Sequence, residues 1–377
     1  MEQQTVFDPG WKYVASVISA CILVNLFLPI LVAITKPKKK SNNKKPYLSL
    51  NDSGADIQED NHNDQEKTYR DVIAENTSWD KEMKKLISLW VPYTISGAVG
   101  GFFDIINVGI ISHYIGTKEA NAYIMVNILV EFTGTLTYGW GEAVGTLGPQ
   151  ADGVGNKVLI GRYLQLGIIF TIITSIPGII IWSLYAEDAV MWFGFDEETA
   201  IYGQRYVYPL LAVLIIDDSV GVISEFLYFI GHEKYGTMMT VIFYALQTAG
   251  LIVLTTIFGV KDLFYIGVLQ TGIGFLVSMV DLTYIAYRGW LDDYWEGFAN
   301  TNGLKDKKAV RNITKTAIPI AIMYILTYGE WEVMTFFASH MGPNEVAAWG
   351  MVGYVWETFE YIIGEYHMKS AVLLCFA

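Results

Sequence analysis

The chain has 377 residues, of which 53% are hydrophobic, 14% aromatic and only 17% charged, a balance outside the range of soluble globular domains. Its net charge of −13 comes from acids in residues 51–82, in short loops and inside apolar stretches, so it does not describe a surface for nucleic acid. The two cysteines, Cys21 and Cys375, lie far apart in or beside apolar runs and offer neither a disulfide framework nor metal-ligand spacing.

In chain order, nine apolar segments are predicted, each long enough to cross about 30 Å of hydrocarbon. They cover residues 12–35, 86–112, 119–145, 160–185, 204–230, 237–258, 263–287, 312–339 and 344–366. A polar tract separates the first from the rest, with KPKKK and SNNKK ahead of NDSGADIQEDNHNDQEK, a composition that predicts a disordered linker. The basic cluster follows the first apolar run and the start, MEQQTVFDPG, has no Lys or Arg. That is the reverse of a secretory signal, so residues 1–35 are expected to be an uncleaved anchor with its N-terminus outside.

Alternating the remaining segments leaves Lys12, Lys118, Arg205 and Lys261 outside and the other 21 of the 25 Lys and Arg inside. By the positive-inside rule this fixes the orientation. The expected organisation is all-α and polytopic. It has an extra N-terminal transmembrane anchor (1–35), a cytoplasmic linker (36–85), a six-helix lobe (86–287), a cytoplasmic inter-lobe loop (288–311) and an incomplete second lobe of two helices (312–377).

An internal repeat supports the two lobes. SHYIGTKEANAYIMVNILVE, residues 112–131, aligns with SHMGPNEVAAWGMVGYVWE, residues 339–357, with one deletion. Gly116 meets Gly342, Glu119 meets Glu345, Met125 meets Met351 and Glu131 meets Glu357. Six segments separate the copies, so both enter the bilayer in the same direction, as in parallel repeats that hold a substrate between two lobes near the midplane. The first copy runs on to about residue 287, whereas the second reaches only its second helix, so four helices are expected to be missing.

GEAVGTLGPQADGVGNKVLIGRYLQLG, residues 141–167, is similar to the junction of the second and third helices in the multidrug and toxic compound extrusion (MATE) family. TAIPIAIMYILTYGEWEVM, residues 316–334, resembles the seventh core helix of its plant and algal members, with Glu332 on that helix's glutamate. Residues 206–240 match the fourth helix and the turn after it more loosely, and the resemblance spans about 84–366. It implies a two-lobe fold of twelve core helices and secondary active antiport. Protons or Na⁺ would be the coupling ion, an organic cation, drug or metabolite the cargo, with no other cofactor and no enzymatic reaction. Bacterial members place a first-helix Asp about one turn from Asp104. After Glu365 the family's glycine and alanine run is replaced by YHMKSAVLLCFA, which reads as an altered or prematurely ended frame.

An acid at membrane depth costs about 2.5–3.5 kcal/mol on insertion scales, so it needs a partner, a proton or a water-filled cavity. Asp104, Glu131, Asp217, Asp218, Glu225, Asp281, Glu330, Glu332, Glu357 and Glu360 all fall within apolar segments, with hardly any Lys or Arg at similar depth. The candidates for ion coupling and substrate binding are Glu332 first, then Glu330, Glu131, Glu357, Asp104 and the adjacent pair Asp217 and Asp218. Asp281, two turns before Arg288, is expected to snorkel, and Glu360 to sit near the interface. Tyr328, Trp331, Trp356 and Phe359 are candidates for a stacking surface for flat cations, with packing and interface anchoring as the alternative.

Nucleotide binding and hydrolysis gain no support. GPQADGVGN lacks the GK[ST] ending of a phosphate loop, and the five histidines form no HExxH or triad pattern. The competing functional readings are a truncated, non-transporting or regulatory membrane protein, and a lipid-linked glycan flippase, which would require a more basic cavity. The expected partners are membrane lipids and a small organic solute, with self-association as a way to complete the second lobe. The expected location is the plasma or vacuolar membrane, with the linker in the cytosol.

Overall fold

The computed structural model describes residues 81–299 and 303–374. The expected anchor and nearly all of the linker lie outside the described residues, as do the side chains of Asp217, Glu332 and residues 361–374. Among the described residues every regular element is helical. The long helices are α1 (Lys81–Tyr114), α2 (Thr117–Gly153), α3 (Lys157–Trp192), α4 (Glu197–Phe229), α5 (Glu233–Ile252) and α6 (Leu263–Arg288). After a short α7 (Trp295–Ala299) come α8 (Lys307–Ser339) and α9 (Pro343–Leu374). A π-helical turn, Val253–Ile257, prolongs α5.

The eight long helices fall on the eight apolar segments expected after the first. Five of them are long and apolar enough to cross a membrane: Thr94–Tyr114, Lys157–Trp192, Glu233–Ile257, Leu263–Arg288 and Lys307–Ser339. The chain is therefore an integral membrane protein. Helices α2, α4 and α9 are equally long but carry more glycine, threonine and acid, which lowers their hydropathy.

Helix ends are set by local chemistry. The side chains of Asn156, Asp262 and Asp306 accept backbone N–H groups in the first turns of α3, α6 and α8, at 3.0–3.2 Å. Gly289 closes α6 at φ 68°, where a side chain would be strained. A proline interrupts each of α1, α2, α3, α4 and α8. Two of these prolines are tied to neighbours: the Pro92 and Pro209 carbonyls accept the hydroxyls of Thr237 and Thr271 at 2.9 and 2.7 Å.

Within the α1–α6 lobe there are two apolar cores. One, near the α1–α2 turn, packs Ile111, Tyr123, Met125, Ile179, Tyr206 and Leu211; the other, near the α2–α3 turn, packs Ile160, Leu164, Phe226 and Ile285 and extends to Ile313 of α8. The stretch expected as an inter-lobe loop is held against α3. A Cβ on Gly161 would lie 2.1 Å from the Tyr294 carbonyl, and one on Gly297 would lie 1.9 Å from that of Val158. Only two glycines permit that approach. Gln165 Nε2 then donates to the Phe298 carbonyl at 2.8 Å, and Arg162 pairs with Asp306.

Helices α8 and α9 fold back across this lobe at small residues, as membrane helices do where backbones approach closely. Helix α8 crosses α2 at Gly139, where a Cβ would be 2.6 Å from the Ala317 carbonyl. Helix α9 crosses α1 at Gly101, where it would be 2.7 Å from the Tyr354 carbonyl. The first helix of each repeat copy thus packs on the second helix of the other. The two repeat turns also match: Glu119 and Glu345 each fold their carboxylates back over the glycine three residues earlier, Gly116 and Gly342.

Candidate functional site

Crosswise packing brings acids from both repeat copies to one place. A cavity of about 230 Å³ lies among α1, α2, α4, α5, α6 and α9, with Asp104, Glu131, Asp218 and Glu357 in its wall. Among the described residues no Lys, Arg or His lines it. The carboxyl of Glu357 faces Glu131, Asp104 and Glu360 closely enough for their charges to repel. The four acids are spread round the wall. Among the described residues no three His, Cys, Asp or Glu side chains group tightly enough to hold a metal ion.

Neutral polar groups fix the rest of this wall. The Tyr206 hydroxyl is 2.7 Å from Gln270 Oε1 and 3.2 Å from Asn127 Oδ1, and Gln270 Nε2 donates to the Tyr123 hydroxyl at 3.4 Å. Asp218 Oδ2 lies 2.8 Å from Thr137 Oγ1 and 3.3 Å from Ser175 Oγ. Each acid is thereby held on a rigid helix rather than on a loop.

Two further cavities share these acids. Glu131 and Glu357 also line one of about 100 Å³ between α2, α8 and α9, together with Glu360 and the rings of Tyr328, Trp331, Trp349 and Trp356. Trp331 lies 4.9 Å from Trp349 and 6.3 Å from Trp356 between ring centroids. Asp218 also borders one of about 520 Å³ between α2, α3, α4 and α8, whose wall is otherwise mostly isoleucine, leucine and threonine.

Of the residues expected from sequence, Asp104, Glu131, Asp218 and Glu357 come together. Glu330 does not: it is exposed on α8 and lines none of the three cavities. The side chains of Asp217 and Glu332 lie outside the described residues. Tyr328, Trp331 and Trp356 form the aromatic wall, but Phe359 is 59% exposed and takes no part in it.

Two expectations need correcting. Glu360 lines the aromatic cavity rather than only meeting the interface. Asp281 does not snorkel; it is 5% exposed, while Arg288 lies over the rings of Tyr284 and Trp290 at 5.9 Å from each centroid. One acid was missed: Glu142 of α2 accepts the Tyr324 hydroxyl of α8 at 3.1 Å. Its signal was its place inside the predicted segment 119–145.

Outside the spans, Lys118 at the start of α2 bridges Asp196 and Glu198 at the start of α4. Hydrogen bonds from its ammonium hold both carboxyls below their ordinary values, and they in turn raise the lysine.

The MatE family model matches residues 73–254. An uncharacterized transporter of Schizosaccharomyces pombe is 21% identical over 286 residues, which is 72% of this chain and 49% of that protein. The crystal structure of the eukaryotic MATE transporter AtDTX14 aligns with TM-score 0.65 and 16% identity, over 76% of this chain and 64% of that one. The structure of the MATE multidrug transporter DinF-BH aligns with TM-score 0.61 and 15% identity, over 74% and 61%. The chain therefore spans about half the length of the curated relative and less than two thirds of these structures. Its helices thus take up the fold of the MATE transporters, and residues 73–254 are similar to the MatE family.

Proposed function

We propose that this chain works in secondary active antiport, with protons or Na⁺ moving inward to drive an organic cation, drug or metabolite outward. The observation that carries this reading is the set of four carboxyls from α1, α2, α4 and α9 around one cavity with no base in its wall among the described residues. An acid so placed, without a counter-charge, must hold a proton or a cation. Two cations that compete for the same carboxyls are coupled by that competition.

The aromatic cavity supplies the other half of the reading. Its indole and phenol rings suit a flat organic cation, and it shares Glu131 and Glu357 with the carboxyl cavity. A cation seated on the rings would therefore meet the same two acids as the coupling ion. From the family resemblance, Glu332 is proposed as a further coupling acid in the second lobe. The lobes are proposed as 86–287 and from 312 onward, with the linker in the cytosol and a plasma or vacuolar membrane as the site of action. A glycan flippase would call for a basic lining, whereas no Lys, Arg or His among the described residues lines any of the three cavities.

The test is reconstitution, in liposomes loaded with a fluorescent organic cation under an imposed pH or Na⁺ gradient, of the chain extended by the four helices expected to be missing. Gradient-dependent, saturable efflux that collapses in Glu131→Gln and Glu357→Gln is the expected result. Efflux with the same gradient dependence in the double variant would refute it.

A further inference from the structure

Helix α8 begins with one face of a single charge. Lys307, Arg311 and Lys315 recur every fourth residue with Lys308 beside them, so the four share one side of the first turns, and all four are exposed. The opposite side carries Ala309, Ile313 and Ala317, each at most 1% exposed, which hold this part of α8 against the lobe. Among the described residues no acid pairs with any of the four cations. Asp306, next to them in sequence, is already bound to Arg162 and to the first turn of α8. Lys157 is likewise paired with Asp293, and Arg288 lies over Tyr284 and Trp290. The row on α8 is left as a field of positive charge that nothing on the lobe offsets.

The same face turns apolar within one turn. Ile318, Ile322 and Leu326, again every fourth residue, are 48%, 51% and 72% exposed. At 1.5 Å per residue, Lys315 stands about 4.5 Å, Arg311 about 10 Å and Lys307 about 16 Å beyond Ile318. The headgroup layer on each side of the hydrocarbon is about 5–8 Å thick. Lys315 therefore lies at phosphate level, Arg311 at the outer edge of that layer, and Lys307 and Lys308 above it. A nucleic acid or an acidic peptide would not reach Lys315 at that depth. A phospholipid with one phosphate would meet Lys315 and Arg311 and leave Lys307 and Lys308 empty. A headgroup with further phosphates above the phosphodiester matches the whole row.

We infer that the foot of α8 binds a phospholipid whose headgroup carries phosphates beyond the phosphodiester. The diester sits on Arg311 and Lys315, the outer phosphates on Lys307 and Lys308, and an acyl chain runs along Ile318, Ile322 and Leu326. The lipid would fix α8 to the membrane on one side, as Arg162 and Asp306 fix it to the lobe on the other. Binding here does not require antiport.

The experiment places the full chain in phosphatidylcholine nanodiscs that contain either a phosphatidylinositol bisphosphate or phosphatidylserine at matched total charge. Retained lipids are counted by native mass spectrometry. The bisphosphate lipid is expected to be retained about tenfold more than phosphatidylserine. Lysine acetylation, mapped on peptides, should slow at Lys307, Lys308 and Lys315 in the bisphosphate discs, and not at Lys234 in the first turn of α5. Lys307→Gln with Lys308→Gln should bring retention down to the phosphatidylserine level, whereas Arg311→Gln with Lys315→Gln should lower retention of both lipids. The four side chains are exposed, so neither pair should move the unfolding midpoint.

Equal retention of the two lipids at matched charge would overturn the inference in favour of diffuse attraction. Retention unchanged in both double variants would place the lipid elsewhere, as on the basic tract at 36–45, and would refute this site. Equal protection of the lysines by inositol trisphosphate, which has no acyl chain, would make the ligand a soluble phosphate ester and not a lipid. Failure of gradient-driven efflux bears on the exporter reading alone and leaves this result standing.

Discussion

Glu131 and Glu357 hold equivalent positions in the two repeat copies, and they line the same two cavities. The crosswise packing of α1 with α9 and α2 with α8 brings these equivalents face to face. Two carboxyls so close cannot both ionise cheaply without a cation between them. Binding of a fluorescent organic cation to the chain should therefore strengthen as pH rises and protons leave the pair. Glu131→Gln or Glu357→Gln should flatten that dependence. The double variant should be no flatter than the worse single one, since the two acids act as a unit. Fluorescence anisotropy over a pH series would settle this, and additive effects would count against a shared site.

Close contact at Gly139 sets the spacing of α8 on α2. A Cβ there would lie 2.6 Å from the Ala317 carbonyl and 2.9 Å from the Ala321 Cβ, and backbone cannot yield as a flexible side chain can. Gly139→Ala should destabilise by about 1–3 kcal/mol through overpacking. Gly109→Ala, with nothing within 4 Å of the added carbon, should be neutral or slightly stabilising. Thermal unfolding in detergent compares the two, and equal midpoints would mean that the crossing gives way.

Much of this arrangement was legible from sequence, for definite reasons. A span needs about 20 apolar residues, so all eight long helices could be placed before their packing was known. The repeat was legible too, because Gly116 with Glu119 and Gly342 with Glu345 build the same turn. Helical phase was the weaker guide. Glu330 has the same depth signal as Glu131 yet lines none of the three cavities, and Glu360 lines the aromatic cavity although it lies near a segment end. The docking of α7 depends on Gly161 and Gly297, which meet only in three dimensions. The 520 Å³ cavity is assembled from residues of four helices, and carries no motif at all.

The link from Lys118 to Asp196 and Glu198 should show its strength only at intermediate pH. Both carboxyls lie below their ordinary values of 3.8 and 4.5, so their contribution is complete above those values and is lost as pH falls through the depressed ones. The lysine lies above its ordinary 10.5, so its contribution is complete below that value and is lost as pH rises through the raised one. The three side chains are 48–57% exposed, so the effect is small and screened by salt. Lys118→Met should lower the unfolding midpoint slightly near neutral pH in low salt, and not at all in high salt or strong acid. A loss that ignores both salt and acid would point to packing instead.

Asp306 does two jobs at the foot of α8. Its Oδ1 accepts the N–H groups of Lys308 and Ala309 at 3.1 and 3.2 Å, and its Oδ2 pairs with Arg162 of α3 at 2.6 Å. The two roles separate by substitution. Asp306→Asn keeps an oxygen for the cap but loses the ion pair, and since the partners are 29% and 25% exposed, that loss should be modest. Asp306→Ala removes the cap as well, and should cost about 1 kcal/mol more. The Ala309 N–H first and then Arg162 hold this carboxyl below its ordinary 3.8, so its contribution is complete above that value and fades as pH falls through the lowered one. Unfolding midpoints of the unmodified chain and Asp306→Asn should therefore differ at neutral pH and converge in acid, whereas Asp306→Ala, without the cap, should stay lower throughout. Because α8 carries Tyr328 and Trp331 into the aromatic cavity, looseness at its foot should also weaken organic-cation binding, more in Asp306→Ala than in Asp306→Asn. If the two variants were equally destabilised, the cap would contribute nothing, and α8 would owe its position to the crossing at Gly139 alone.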